Sequence, residues 1–440
     1  MQNYSLLLVI LIQLAFNVSA DSTLKTAIHD DYPYLEALYT HLHMNPEISF
    51  QEENTSVRMA NELRSLGFTV TEKVGGHGVV GVLINGEGPT VLLRTDMDAL
   101  PILEKTGKPY ASTKTTVDEH GNTVSVMHAC AHDVNMTVFT GAARRLTAMT
   151  DKWQGTLVMI AQPAEERGAG ARAMLKDGLF ERFPRPDYNL GMHVSASLPA
   201  GTVIHTKGYV MASVDSVDIT VYGVGGHGAY PQRTKDPVVL SAQIINALQT
   251  LVSREIKPID AGVVTVGSIH GGTKHNIIPD EVKLQLTVRS YTDETRAKLL
   301  DGIKRIARGQ AIAMGLPDDK LPDVIIADES TPSTYNNPEL ADRIVNVLQA
   351  KLKDVPIIPG EPVMGGEDFS RYGRVEPKIP SLFLFIGGVY ADKYAAAREK
   401  GEVLPSLHSP FFAPDPEPTI LTGVEVMTTS ALELLGKAGN

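Results

Sequence analysis

The sequence predicts an α/β protein, built on a mostly parallel sheet flanked by helices, with a smaller α+β domain inserted into it. Three observations carry this expectation. A length of 440 residues exceeds what one hydrophobic core serves, which implies two domains. Between residues 67 and 193, short Val- and Leu-rich runs alternate with helix-period segments, the rhythm of strands joined by crossover helices. After Leu198-Pro199-Ala200-Gly201 the rhythm changes to apolar–polar alternation, as in a sheet with one face solvated or packed on helices.

Taken in order, Leu24, Ile28, Tyr32, Leu35, Leu38, Tyr39 and Leu42 recur at helical spacing, and their helix should stop before Asn45-Pro46. A second helix starts near Phe50 and ends around Gly67. GVVGVLING and TVLLRTDMDAL then read as strands, the latter running to Asp96 and Asp98, where open α/β sheets place their ligands. MHACAHD (127–133) leads into a helix over 134–149. TLVMIAQPAEE is a buried strand breaking at Pro163, and a further strand from about Tyr188 ends in His193. In the inserted domain SVDSVDITVYG, VVTVGSIHG and EVKLQLTVRSY alternate, with helices over 237–254 and 294–314. From about Val324 the α/β character returns with a helix over 336–352, the strand SLFLFIGG and a last helix after Pro416. The expected boundaries are 21–205 and 323–440 for the two parts of the larger domain and 206–322 for the insertion.

A net charge of -11 and a pI near 5.6, with no basic block, exclude nucleic acid as the expected partner. The first twenty residues carry no charge and end in Val18-Ser19-Ala20, a signal-peptide pattern with cleavage before Asp21, although Lys and Arg are absent from its start. The apolar run is shorter than the ~20 residues that span a bilayer, so no stable membrane insertion is expected. The mature chain is then secreted or periplasmic. A single cysteine, Cys130, cannot form an internal disulfide there, and a buried metal-bound thiolate resolves the tension.

Cys130 and His132 are two apart in MHACAHD, with His128 on the other side, and both can reach one centre from a turn. Thiolate and imidazole with carboxylates suit zinc, manganese or cobalt; the pair alone also suits a buried structural cysteine beside a core histidine. Just past Pro163, Glu165 and Glu166 can diverge, one toward a metal and one toward a reacting water. His193 and His408 are further imidazoles, and Asp98 suits a carboxylate that orients a ligand histidine or a turn acid before Pro101. Glu367 and Asp368, in MGGEDFSRYG, suit a helix cap or a supporting role at the site. In the insertion, glycines around His227 in GVGGHGAYP allow close approach to a ligand. Asn276 and Arg289 could hold a carbonyl or carboxylate, or Arg289 could bridge across a strand face. Together the clusters read as a metal-dependent hydrolase site.

The motifs HLHMNPEISFQE, RTDMDALP, MHACAHD, QPAEE, GMHV, GGHGAYPQRTKDP, GGTKHNIIPD, MGGEDF and LHSPFF, in this order along the whole mature chain, resemble the M20 metallopeptidase family. Within it the resemblance is to the amidohydrolase branch of aminoacylases, hippurate hydrolases and auxin-conjugate hydrolases. It implies two divalent ions, manganese or zinc, with Cys130, His132, Glu166, His193 and His408 as ligands and Glu165 as general base. It also implies that the insertion is a dimerisation or lid domain and the protein a homodimer. His227 would help polarise the substrate carbonyl, and Asn276 and Arg289 would lie near the substrate's carboxylate. Two residues depart from the branch: Ala131 where it has Gly, and Asn135 where it has His. If position 131 has positive φ, Ala costs on the order of 1–2 kcal/mol. Activity is expected to survive both.

The function expected is hydrolysis of the amide of N-acyl amino acids, of N-acetyl or N-benzoyl type, by metal-activated water. The alternatives are a dipeptidase or carboxypeptidase of the same family and a non-catalytic metal- or ligand-binding relative. Cys130 in place of the peptidase-branch acid favours the amidohydrolase, and the presence of Glu165 argues against a mere binder.

Overall fold

The computed structural model describes residues 4–437, with side chains from 24 onward, so the expected leader over 1–20 lies outside the residues described in full. The chain divides into two compact units, Met1–Gly208 with Tyr335–Glu361 and Arg371–Asn440, and Tyr209–Thr334 with Pro362–Ser370. Among the described residues no helix is long and apolar enough to cross a membrane.

The larger unit is organised on an eight-stranded sheet. At its middle Gly155–Gln162, Thr90–Asp96, Tyr188–Pro199 and Ser381–Val389 lie side by side, each parallel to the next. The strand Thr90–Asp96 is buried on both faces after its first residue, which requires cover above and below. Antiparallel pairs flank this centre: Gly78–Asn85 with Gly155–Gln162, Thr69–Val74 with Gly78–Asn85, and Val203–His205 with Ser381–Val389. Ile357–Pro359 closes the edge parallel to Val203–His205. The helices Tyr4–Met44, His132–Ala148 and Pro416–Leu434 contribute to one core with these strands. From the first helix Leu35, Leu38, Tyr39 and Leu42 are buried at the spacing of one helical face, each contributing about 1.5–3 kcal/mol on leaving water. Gly141 permits the close helix contact: a Cβ there would lie 2.4 Å from Cγ2 of Val424.

The strand expected to stop at His193 continues to Pro199, because Ser195 and Pro199 pair with Gly387 and Val389 across a bulge. A short hairpin, Thr115–Val117 with Thr123–Ser125, lies just before the MHACAHD segment. It is too short and polar to show a period, and its turn is set by Asp118, which accepts the backbone N–H of His120 and Asn122.

The smaller unit is a four-stranded antiparallel sheet in the order Gly262–Gly271, Glu281–Ser290, Ser213–Tyr222, Asp323–Ile326. Burial alternates along Ser213–Tyr222 and Glu281–Ser290, and the helices Pro237–Thr250 and Asp293–Ala313 share the apolar face. The expected end of the insertion at 322 is corrected here. Asp323–Ile326 pairs with Val217 to Thr220, and Val324 and Ile326 pack on the small core. A strand of four residues does not reveal which sheet it joins.

Where the first helix ends, His43 is buried between two carboxylates, with Nδ1 2.6 Å from Asp133 Oδ2 and Nε2 3.1 Å from Glu104 Oε1. Burial works against a charge on this ring, but its hydrogen bonds to Asp133 and Glu104 push the pKa up to about 9. A histidine raised from 6.5 on folding stabilises the protein fully below about pH 6.5, and that contribution is lost as pH rises through about 9. Metal-saturated protein should therefore lose thermal stability between about pH 7 and about pH 9.5, by at most on the order of 3 kcal/mol. His43→Gln should flatten that slope in thermal melts; an unchanged slope would assign it to other groups.

Candidate metal centre

The carboxyl ends of the central strands deliver the polar residues. Asp96 ends one strand, and its register partner Gln162 ends the neighbour. Asp96 is fully buried, and Arg94, two residues back on the same strand face, donates to its Oδ2 at 2.8 Å. Burial alone would raise this carboxyl, but His132 and Arg94 hold it at about 2.

Between these strands and the helix His132–Ala148, the chain passes through Ala129, Cys130 and Ala131. Ala131 caps the helix in the left-handed region, φ 62° and ψ 27°. The condition set by the sequence is met: a residue with a Cβ occupies a conformation that costs it on the order of 1–2 kcal/mol. The turn still closes, with the N–H of Val134 and Asn135 both donating to the Ala131 carbonyl. Asn135 points to Asp96, donating to its Oδ1 at 2.9 Å.

Past Gln162 the chain turns sharply at Pro163. Ala164 is left-handed, φ 50°, and Gly170 packs so tightly that a Cβ would lie 1.6 Å from the Pro163 carbonyl oxygen. The turn presents Glu165 and Glu166. Their backbone N–H groups donate to Oδ1 and Oδ2 of Asp98, each at 3.0 Å, and Ser49 donates to Asp98 Oδ2 at 2.6 Å. Asp98 also holds His132, through its main chain and its carboxylate together. Nδ1 of His132 donates to the Asp98 carbonyl at 2.7 Å, while Oδ1 is 3.5 Å away. The carboxylate expected to orient a histidine lies beside His132 and also secures the two glutamates.

Three imidazoles turn Nε2 toward one volume. The Nδ1 of His132 is taken by Asp98, and that of His193 donates to the Val194 carbonyl at 2.8 Å. His408, held by its backbone N–H to the Ala129 carbonyl, places Nε2 3.3 Å from Cys130 Sγ and 3.4 Å from Glu166 Oε2. His193 Nε2 lies 3.5 Å from the same sulfur. Cys130, His132 and His193 form one trio of potential ligands and Cys130, Glu166 and His408 another, with ligand atoms within 4.8 Å of one another in each. Cys130 is common to both. The first trio is buried, whereas the second reaches solvent at His408. His132, Glu165 and Glu166 also converge, with His132 Nε2 3.9 Å from an oxygen of each glutamate.

The donors fit divalent cations. His132 Nε2 and Glu166 Oε1 are buried without a hydrogen-bond partner, as atoms suited to hold a cation would be. The charge balance agrees. Burial, Glu166, Glu165 and Asp96 push the Cys130 thiol up. Burial opposes charge on His132, but Asp96, Asp98 and Glu166 raise it to about 10, while burial raises Glu166 to about 7. A volume rich in carboxylates draws protons when no cation is there.

His128, the other histidine of MHACAHD, does not join the ligands. It is buried, neither ring nitrogen has a partner, and burial lowers its pKa to about 4. His227, Asn276 and Arg289 belong to the smaller unit. His227 is exposed on the short strand Gly226–His227, which pairs with Ile277–Ile278, and Asn276 is exposed just before that partner. Arg289 is half-buried and donates to Thr287 Oγ1 and the Met364 carbonyl. Glu367 and Asp368 are buried in that unit, where Oε1 of Glu367 accepts from the Phe369 N–H at 2.9 Å. The sequence reading assigned nothing to Glu52. It is fully buried, its Oε1 accepts from the Ala164 N–H at 2.7 Å, and burial and Asp98 raise its pKa to about 8. An acid beside a helix start gives no sign of this in sequence.

A mostly parallel sheet with a thiolate, imidazoles and paired glutamates gathered at its strand ends defines a metal-dependent hydrolase. Residues 92–429 match the model of peptidase family M20/M25/M40, and the chain belongs to that family. It is 36% identical over 368 residues to thermostable carboxypeptidase 2 of Saccharolobus solfataricus, covering 83% of this chain and 88% of that protein. It is 38% identical over 339 residues to the hippurate hydrolase of Campylobacter jejuni, covering 76% and 83%. A dinuclear metal-binding peptidase of the M20 family from Bacillus subtilis superposes with a TM-score of 0.72 at 28% identity, covering 93% of this chain and 99% of that one. The chain is an amidohydrolase of this metal-dependent family.

Proposed function

We propose that the protein hydrolyses the amide bond of N-acyl amino acids, with Cys130, His132, Glu166, His193 and His408 holding two divalent cations and Glu165 acting as general base. The observation that carries this reading is the pair of trios sharing Cys130, with Glu165 adjacent and belonging to neither. Divalent ions bound there would polarise the scissile carbonyl and acidify the attacking water. Glu165 then takes the water's proton and returns it to the leaving amine nitrogen, completing hydrolysis with no net change at the carboxylate. Asp98 keeps that carboxylate in place by fixing the backbone N–H of Glu165 and Glu166. We assign His227, Asn276 and Arg289 to substrate recognition, Arg289 for its fork of donors suited to a carboxylate.

The hippurate hydrolase relative supports an N-acyl amino acid as substrate, and the carboxypeptidase relative makes unblocked peptides the necessary control. We further propose export through the uncharged leader and a homodimer formed through the smaller unit. Val238 and Val239 are exposed on the helix Pro237–Thr250, and Gly262–Gly271 is an edge strand with Ile269 exposed, features suited to a copy of the same surface.

The test is hydrolysis by residues 21 to 440 of a panel of N-acetyl and N-benzoyl amino acids and unblocked dipeptides, with manganese, zinc or chelator. Cleavage of blocked substrates that falls at least about a hundredfold with chelator is expected. Preference for dipeptides would replace the acylase reading with a peptidase one, and bound metal without turnover on any substrate would replace both with a binding protein.

A further inference from the structure

We propose that Glu52 is a positioning residue for the general base: its buried carboxyl holds the left-handed Ala164 that aims Glu165. This rests on the reading of Glu165 as the base. Three successive N–H groups, those of Ala164, Glu165 and Glu166, are each taken by a side-chain carboxyl oxygen, the first by Glu52 and the other two by Asp98. Both acceptors are fully buried. The acceptor for Ala164 matters most, because that residue has φ 50°, a conformation a Cβ disfavours and surrounding contacts must impose. Without an acceptor its buried N–H is orphaned, and relaxation of Ala164 toward an ordinary conformation would swing the next side chain, that of Glu165.

The segment that supplies Glu52 is itself fastened to Asp98. The Glu47 carbonyl accepts from the Ala99 N–H at 2.8 Å, Ile48 bridges to Ala99, and Ser49 donates to the Asp98 carboxylate. Residues 47–52 thus form a brace from the strand end carrying Asp98 to the turn carrying Glu165. This gives a task to the EISFQE part of the first motif, which no ligand or base role absorbs. The directed contact of the Glu52 carboxyl to the turn is the one from the Ala164 N–H to Oε1. What the turn needs is an acceptor at that point, which an amide oxygen also provides.

The experiment compares Glu52→Gln and Glu52→Met in the full mature chain, reading kcat, KM and manganese affinity by titration of the free ion's magnetic resonance signal. Met fills the volume but cannot accept. Glu52→Met should lower kcat about thirtyfold with KM within about threefold, and should weaken the more loosely held manganese ion about tenfold through Glu166. Glu52→Gln should stay within about threefold of the parent on every readout. Parental kcat in Glu52→Met, or equal impairment of both variants at parental melting temperature, would overturn the proposal. If Glu52→Met gives no folded protein, Glu52→Leu replaces it as the variant without an acceptor: a kcat loss that Glu52→Gln does not share supports the role, and parental kcat in Glu52→Leu or a thirtyfold loss in Glu52→Gln removes it. Glu165→Gln, measured alongside, separates the two readings. An inactive Glu165→Gln with a parental Glu52→Met sinks only the brace, whereas an active Glu165→Gln removes the base assignment beneath it.

Discussion

Glu165→Gln is expected to lower kcat by about a thousandfold while both metal sites still fill, since a positioned general base contributes roughly 10²–10⁴ in rate. The substitution keeps the side chain's size and leaves the backbone N–H of residue 165 on Asp98, so the turn and Glu166 remain as they are. The amide cannot accept a proton from water. Metal content by elemental analysis, paired with initial rates, reads the two effects separately. Rates within tenfold of the parent at full occupancy would give the base role to another group.

Cys130→Ala should be nearly as damaging for a different reason. Its sulfur lies 3.3 Å from His408 Nε2 and 3.5 Å from His193 Nε2, and it is common to both trios. On the proposed ligand set its loss takes a donor from two sites together, so metal content should fall well below one ion per chain and kcat by at least about a thousandfold. His193→Ala should lose a single ion by comparison, because His193 belongs to one trio only. Equal stoichiometry in the two variants would show that the thiolate serves one cation.

The parts of this centre legible in the sequence were those whose residue types are rare or whose spacing is short. A lone cysteine two residues from a histidine, and paired glutamates after a strand-breaking proline, announce chemistry without a structure. The parallel strands were legible because short apolar runs such as Val91–Leu93 and Leu157–Ala161 alternate with helix-period segments, and the smaller sheet because Ser213–Tyr222 and Glu281–Ser290 alternate. Contributions carried by the main chain were not. In sequence Asp98 suits a carboxylate orienting a histidine or a turn acid; that its carbonyl shares the contact to His132 and its carboxylate also takes two backbone N–H groups was not legible. Glu52 escaped because a buried acid bound to a distant N–H looks, in sequence, like any acid before a helix. Asp323–Ile326 was misplaced because four residues are too few to show a period that identifies their sheet.

The order in which the chain is made bears on when the protein can become active. Cys130, His132, Glu166 and His193 lie in the first half of the sequence, whereas His408 comes near its end, after the whole of the smaller sheet has been synthesised. A growing chain therefore holds Cys130, His132, Glu166 and His193 without His408 over about half of its synthesis. Contacts between segments so far apart form late in folding. On the proposed ligand set, the centre is complete only once the segment carrying His408 has been made and has docked beside Cys130.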